Sequence, residues 1–471
     1  MRIFLYKCLV PVLLLLLYPV GAKAQQQIPQ VNDISRLNCI DVLGMIAPTT
    51  TEEIVEAVRS HNGPVSIGGG RYSMGGQIGT EQSLHIDMRQ FDSVLHFSAA
   101  GKEITVQAGI TWRQVQEFID PYDLSVKIMQ TYANFTVGGS LSVNVHGRYV
   151  GQGPLILSVK QVKMVLADGT VVTASPEQHR DLFYGAIGGY GGLGVITEAT
   201  LSLADNCKVQ RTDKLMKISE YSSYFHHSVL HDSSVIFHNA NMYPLRYKKV
   251  RAVSYATTDK AVTIPHRLKP SDQKYGFNRF AFKMIADIPG GKWMRQHLLE
   301  PLIYIGRPVE WRNYEASYNV SELEPRSREK STYVLQEYFV PVQQFDTFYP
   351  LLVSILRQRK VNVINISIRH ARKDPGSMLA WAKEDVFAFV IYYNQGTSAT
   401  QQEEVTGWTR ELITAVLLHQ GTYYLPYQLH ATPDQFMQAY PGAPAFFALK
   451  KQVDPSNKFR NKLWDKYFRQ D

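Results

Sequence analysis

The chain has 471 residues, 45% hydrophobic and 19% charged, with a formal net charge of +9 and three cysteines. That composition belongs to a globular protein with a sizeable core, and it excludes a disordered, collagenous or disulfide-framework chain. The basic excess is spread thinly with no Lys/Arg block, so no nucleic-acid partner is expected, and no CxxC or clustered Cys/His pattern offers a structural metal site.

Residues 1–24 begin with Arg2 and Lys7, run apolar from Cys8 to Val20, and close on Ala22-Lys23-Ala24. This is the order of a secretory signal peptide, and the apolar run is shorter than the ~20 residues of a spanning anchor. Cleavage after Ala24 is expected, giving an exported chain, periplasmic or secreted, whose formal charge falls by three to +6. Cys8 leaves with the leader. Cys39 and Cys207 then remain where thiols oxidise, and whether they join depends on a Cα separation that sequence does not hold.

From residue 38 to 206, helical periods alternate with short β-branched runs. "TTTEEIVEAVRSH" opens with threonine caps and acids in its first turn, as a helix start should. "PVSIGG", "SLHIDM", "EITVQAG", "VKQVKMVLADGTVVTA" and "GVITEATLSL" read as strands, with "ADGT" as a hairpin turn, and "TWRQVQEFI" reads as a helix. From 207 to 430 long aromatic strands, "STYVLQEYFVPV", "VNVINISIRHA" and "DVFAFVIYYNQ", are separated by the helical "FDTFYPLLVSILRQRK" and "EEVTGWTRELITAVLLHQ". That order predicts an antiparallel sheet with helices on one face, and the whole chain reads as α+β with two domains. Residues 431–471 read as a helix, a proline turn and a last short helix.

Three glycine-rich stretches interrupt the first domain: "VSIGGGRYSMGGQIG" at 65–79, "TYANFTVGGSLSVNVHGRYVGQGPL" from Thr131, and "DLFYGAIGGYGGLGVITEATL" from Asp181. Glycine is entropically costly, so its clustering beside strand ends calls for a ligand that approaches bare backbone, and a dinucleotide pyrophosphate is such a ligand. A Rossmann fingerprint can be forced onto the first stretch, but "IGTEQSLHID" leads from it into a strand and not a helix, so that reading is rejected.

Together, in this order and spacing, the three stretches resemble the FAD-binding domain of the vanillyl-alcohol oxidase, or PCMH, superfamily. The nearest resemblance is to its aldonolactone and alditol oxidase and decaprenylphosphoryl ribose oxidase groups. The resemblance implies a two-domain fold with an antiparallel-sheet substrate cap over the flavin. It carries Gly68, Gly69, Gly70, Arg71, Tyr72 and Ser73 onto the pyrophosphate loop, and Val137, Gly138, Gly139, Ser142, Asn144, His146 and Gly147 onto a second loop beneath the isoalloxazine. Gly191, Gly194, Val195 and Ile196 fall on the adenosine side. His146 is expected to touch cofactor without doing chemistry. Many relatives link flavin through a histidine in the first loop or a cysteine in the second. Arg71-Tyr72-Ser73 and a cysteine-free second stretch stand there instead, so the FAD is expected to be noncovalent.

In the cap, the resemblance places Arg369 of "ISIRHA" facing the flavin, with His370 on the opposite strand face. Tyr392 and Asn394 share one face of the next strand, Tyr393 and Gln395 the other. Glu337 in "LQEYFVP" is a further candidate, because an acid among apolar strand residues needs a partner. A lysine that alditol oxidases carry is missing from "GTYYLPYQLHATPDQF", where Tyr427, Gln428 or His430 could substitute. The catalytic candidates are thus Arg369, Glu337, Tyr392 and Gln428. Tyr423, Tyr424 and Tyr427 read equally well as domain-interface packing, and Lys450 or Lys451 as a cofactor neighbour or a solvated helix face. The expected activity is oxidation of a CH–OH group of a small sugar, polyol, lactone or related alcohol by hydride transfer to flavin N5, with oxygen or another acceptor. The alternatives are a dehydrogenase serving a quinone or cytochrome and a flavin carrier without catalysis. Residues 274–320 mix aromatics with bases, which suits an interfacial helix pair on a membrane, a flap over the substrate mouth, or plain packing.

Overall fold

A computed structural model describes residues 28–468 except 245, 272–275 and 326; the expected leader lies outside the described residues. The first domain begins with the antiparallel pair β1 (Gln30–Val31) and β2 (Ile40–Asp41), followed by β3 (Gly44–Ile46), β4 (Val65–Gly68) and β5 (Leu84–Asp87). These last three form a parallel sheet in the order β3-β5-β4, linked by the helix Thr51–Ser60. Thr50 caps that helix by accepting from the Glu53 amide while the Glu53 side chain returns to the Thr50 amide, and Ile54 and Val58, one turn apart, face the core. The second sheet contains β6 (Val94–Ser98), β7 (Glu103–Gln107), β8 (Leu124–Val126), β9 (Val159–Val165), β10 (Val171–Ala174) and β11 (Val195–Asp205). It is antiparallel in the order β10-β9-β11-β7-β6, with β8 on the far end of β11.

Two residues after β11 the chain enters the cap sheet: β12 (Lys208–Lys217), β13 (Val235–Met242), β14 (Lys249–Thr257), β15 (Val309–Trp311), β16 (Ser331–Pro341), β17 (Val363–Ala371), β18 (Val386–Gly396) and β19 (Thr422–Tyr423). The order is β15-β12-β14-β13-β17-β18-β16-β19, antiparallel throughout. Helices Phe345–Gln358 and Ala399–Leu418 cover one face, where Tyr393 meets Trp408 at 5.0 Å and the Gln336 amide donates to Thr409 at 2.7 Å. Alternation therefore turns Leu335, Glu337, Arg369 and Tyr392 to the other face, toward the first domain. A strand buried on both faces has no reason to alternate in polarity, and "VFAFVIYY" does not.

The tail returns to the first domain through helices Ala443–Val453 and Lys462–Tyr467. The Val65 amide donates to the Lys458 carbonyl at 2.7 Å, and the Arg460 amide donates to the Val65 carbonyl at 3.0 Å. One expectation changes: the second glycine stretch opens as a short helix, Val137–Ser142, and not as a loop. Thr136 is the reason, since its hydroxyl caps the helix by accepting from the Gly139 amide.

Candidate functional site

The parallel sheet, the helix Val137–Ser142 and the inner face of the cap sheet enclose one cavity. Its first wall is mostly main chain: Gly69, Gly70, Arg71, Tyr72 and Ser73 follow β4, and Gly139, Ser142 and His146 come from the second stretch. Thr136 joins the two, because its hydroxyl accepts from Gly70 at 3.2 Å and from Gly139 at 3.3 Å. A Cβ on Gly69 would sit 2.3 Å from that hydroxyl oxygen, so only glycine lets the segments meet this closely. The Arg71 guanidinium turns back to Asp87 at 2.9 Å, from a left-handed backbone with φ of 62°. Burial raises the Asp87 carboxyl, but hydrogen bonds from Arg89 and the charges of Arg71 and Arg89 outweigh it and hold the group below its usual range. Tyr72 stacks on Phe135 with ring centroids 4.3 Å apart.

A second chamber continues from the first, with Ile67, Gly69, Gln77, Thr136, Gly139, Ser142 and Tyr190 on both. Gly138, Gly191, Gly194 and Ile196 line it, and the tail supplies Arg460 and Asn461. Gly191 takes φ of 67°, a conformation that favours glycine. The Asn461 amide donates to the Tyr190 carbonyl at 2.8 Å, and its oxygen caps the last helix. Behind this wall the Lys450 ammonium is fully buried and donates to Asp454 at 2.8 Å, Gly192 O at 2.8 Å and Phe459 O at 2.9 Å.

The cap wall consists of long side chains. Glu337 is 3% exposed and sits 2.5 Å from His146 Nε2, itself 3% exposed, while the Tyr427 hydroxyl donates to the second Glu337 oxygen at 3.1 Å. Arg369 lines the same space, and its buried Nε–H has no hydrogen-bond partner among the described residues. Burial lowers its pKa and the Glu337 charge opposes that shift, so the guanidinium remains a cation with bonding capacity left over. Burial and the same carboxylate push the Tyr427 phenol well above its usual value. The Tyr392 hydroxyl donates to Leu323 O at 2.6 Å while its ring borders the cavity.

Measured against the sequence expectations, the structure gathers Gly69, Gly70, Arg71, Tyr72, Ser73, Gly139, Ser142 and His146 around the first chamber, and Gly138, Gly191, Gly194 and Ile196 around the second. Five residues stand behind the walls. Gly68 ends β4 against the His85 ring, Val137 is core, Gly147 abuts Met129, and Val195 starts β11 opposite Val165. The Asn144 side chain is committed to Asp374 at 2.8 Å and to the Ile156 amide at 3.1 Å. Among the catalytic candidates, Arg369, Glu337 and Tyr392 reach the cavity and Gln428 does not, since its amide is engaged by the Met74 carbonyl. His146 Nε2, expected on a cofactor oxygen, instead meets Glu337. Of the two tail lysines, Lys451 stands on the exposed helix face, whereas Lys450 is enclosed against Gly192 and not solvated. Tyr424 and Tyr427 border the cavity, whereas Tyr423 packs on Tyr440 and His430 bonds Thr406.

Thr136, Tyr132, Tyr190, Arg460 and Asn461 were not singled out from sequence. The Thr-Val-Gly-Gly and Asn-Lys-Leu-Trp openings are helix-cap signals that could have flagged Thr136 and Asn461. Cys39 and Cys207 are free thiols, and burial raises the Cys207 thiol.

The cradle fits FAD. The Arg71, Tyr72 and Ser73 amides donate to no acceptor among the described residues, which leaves backbone donors along the wall of the first chamber. Residues 42–175 match the family model described as an FAD binding domain. Similar proteins include cytokinin dehydrogenase 9 of Oryza sativa subsp. japonica, 31% identical over 38% of this chain and 36% of that protein. L-gulonolactone oxidase of Mus musculus is 30% identical over 33% of the chain and 36% of its own length. The FAD-linked oxidoreductase fogF of Aspergillus ruber is 31% identical over 35% and 34%. The chain thus spans about a third of the length of these curated relatives. The lactone oxidase agrees with the resemblance drawn from the glycine stretches; the cytokinin dehydrogenases are an addition to it.

Proposed function

The chain carries an FAD-binding domain of the vanillyl-alcohol oxidase superfamily, and from that premise we propose an oxidoreductase that oxidises a CH–OH group of a sugar, polyol, lactone or related alcohol. FAD, when bound, supplies the acceptor for the hydrogen and electron pair of a substrate C–H bond. The protein's own task is to orient the alcohol, take its hydroxyl proton and stabilise the charge that its oxygen then carries. The observation that supports this best is the buried group of Arg369, Glu337, His146 and Tyr427 on one cavity wall. Arg369 has a free N–H for the developing oxyanion. Glu337 and His146 form a pair through which a proton leaves the substrate oxygen, oriented by the Tyr427 hydroxyl. Tyr392 and Leu335 shape the space beside them.

Two relatives bear the name L-gulonolactone oxidase, which supports a lactone-type substrate. The cavity half formed by Tyr132, Leu323, Tyr333, Leu335 and Val390 is more apolar than a polyol requires, which favours as a second reading a cytokinin-like substrate, as the dehydrogenases' name has it. Arg71 in the first loop, where relatives carry a linking histidine, and cavity-lining residues that include no cysteine among those described support the proposal that the FAD is noncovalent. Export after Ala24 and reoxidation by oxygen or another acceptor complete the proposal.

The test is anaerobic flavin bleaching with pooled sugars, polyols, lactones and hydroxy acids, with cytokinins as a separate pool, followed by admission of oxygen or a quinone. Bleaching by an alcohol pool supports the proposal. Bleaching by cytokinins alone transfers support to the second reading, and no bleaching by any pool leaves a flavin carrier. Acid precipitation should release the flavin into the supernatant; yellow colour that stays on the denatured chain contradicts noncovalent binding.

A further inference from the structure

Large apolar side chains are exposed at scattered points over the molecule, but six of them crowd into eighteen residues: Ile288 at 44%, Trp293 at 50%, Leu298 at 49%, Leu302 at 64%, Ile303 at 59% and Ile305 at 71%. They belong to a helical hairpin inserted between β14 and β15. The helix Gly276–Asp287 turns at Pro289-Gly290 into a second helical run, Gly291–Met294, Arg295–Leu299 and Glu300–Ile303, of which the middle part is wound as a π-helix. Single exposed leucines need no explanation, whereas six exposed apolar side chains on one hairpin mark a contact surface.

The charge around this surface indicates what it contacts. Residues 283–307 hold the cations Lys283, Lys292 and Arg307, with Arg295 turned inward to Ile364 O at 2.7 Å and Asn365 at 3.0 Å, against the acids Asp287 and Glu300. Both acids are engaged: Glu300 is 4% exposed and bonded by Arg295 at 3.0 Å, and Asp287 lies 3.6 Å from Lys283. The neighbouring strand β12 adds Arg211, which donates to Ile303 O at 3.0 Å, and the exposed Lys260 bonds Gln210, which in turn holds Arg307 O. Apolar tips among cations, with an exposed tryptophan beside a histidine, suit the headgroup boundary of an anionic bilayer. Among the described residues no helix is long and apolar enough to cross a membrane, so contact would be peripheral.

We infer that the hairpin of residues 276–307 is a docking surface for an anionic lipid bilayer, entered by Leu302, Ile303 and Ile305 and held by the surrounding Lys and Arg side chains. The hairpin also rests on the cavity. Ile285 packs with Tyr333, Ile364 and Tyr392, and two of those three line the chamber. A docked molecule would therefore hold the apolar half of its cavity close to the lipid surface.

The experiment is co-sedimentation of the FAD-loaded full chain with phosphatidylcholine vesicles, with and without about one third phosphatidylglycerol. Binding is expected to the anionic vesicles and to weaken as salt rises. The triple variant Leu302→Ser/Ile303→Ser/Ile305→Ser should lose at least about tenfold in partitioning while keeping its flavin absorbance. The pair Lys292→Glu/Arg307→Glu should lose the preference for anionic lipid. Equal partitioning of the triple variant and its parent overturns the inference, because binding would then reside elsewhere, the leader included. So does an absence of vesicle binding joined to a concentration-dependent dimer that the triple variant abolishes, which would make the partner a second copy.

Discussion

Residues 69–74 bring backbone to the cavity, whereas β16, β17 and β18 bring long side chains to it. The first wall is local: β4 and one loop deliver its amides, and Thr136 holds the neighbouring segment against them. The second is assembled across the chain, with Glu337 meeting His146 over 191 residues and Tyr427 over 90. Backbone binding tolerates no bulky substitution but carries little chemistry. Side-chain constellations carry the chemistry, and each buried charge in them must find a partner. The account thus assigns cofactor retention to the first wall and turnover to the second, a division that substitutions can break.

The largest effect is expected behind the cofactor wall. Lys450→Met leaves Asp454 buried without its cation and removes the bond to Gly192, so stability should fall by about 3–5 kcal/mol. Urea unfolding of the flavin-loaded chain measures it, and FAD should loosen in step. A change within experimental scatter would show that the tail does not support the second chamber.

Acid should separate the two regions next. Burial holds His238, His370 and His430 of the cap neutral, with values lowered to about 3, about 4 and about 3, and His85 beside β4 lowered to about 4, from an ordinary 6.5. The unfolded chain binds protons on these groups at higher pH than the folded one. Stability is therefore full above about pH 6.5 and is lost as pH falls from there toward 4, by about 3 kcal/mol for His85 alone. With three such groups against one, the cap should melt before the flavin domain, which thermal scans from pH 7 to 4 followed by flavin and tryptophan signals would resolve. Simultaneous loss of both signals would contradict the division.

A smaller effect sharpens it from the other side. Gly69→Val forces a side chain onto the Thr136 hydroxyl, an overpacked contact of about 1–3 kcal/mol. FAD affinity should fall on the order of 10- to 100-fold, while the saturated enzyme keeps its rate. A fall in rate at saturating FAD would place the first wall in the chemistry.

The same contrast explains what could be read from the sequence. The glycine stretches, the threonine caps of the first helix and the β-branched runs are local signals, so the α+β fold, the antiparallel cap sheet and the FAD cradle were legible. Strand alternation also placed Arg369 and His370 on opposite faces correctly. Gln428 was misplaced because no periodicity governs the segment after β19, and its amide turned to the Met74 carbonyl. The pairing of His146 with Glu337 was illegible, since it depends on how two domains meet. Lys450 was read from a helix whose charged face looked solvated, and only the tail's return to Gly192 buries it.

One measurement tests the division most directly: the anaerobic reductive half-reaction and FAD content of Arg369→Ala beside the parent chain. Arg369 faces the cavity with a free N–H and holds no part of the cradle. The account predicts a reductive rate lower by about 10²-fold, the loss of one buried charge stabiliser, with FAD retained in full. An unchanged bleaching rate, or a variant that purifies without flavin, would contradict it.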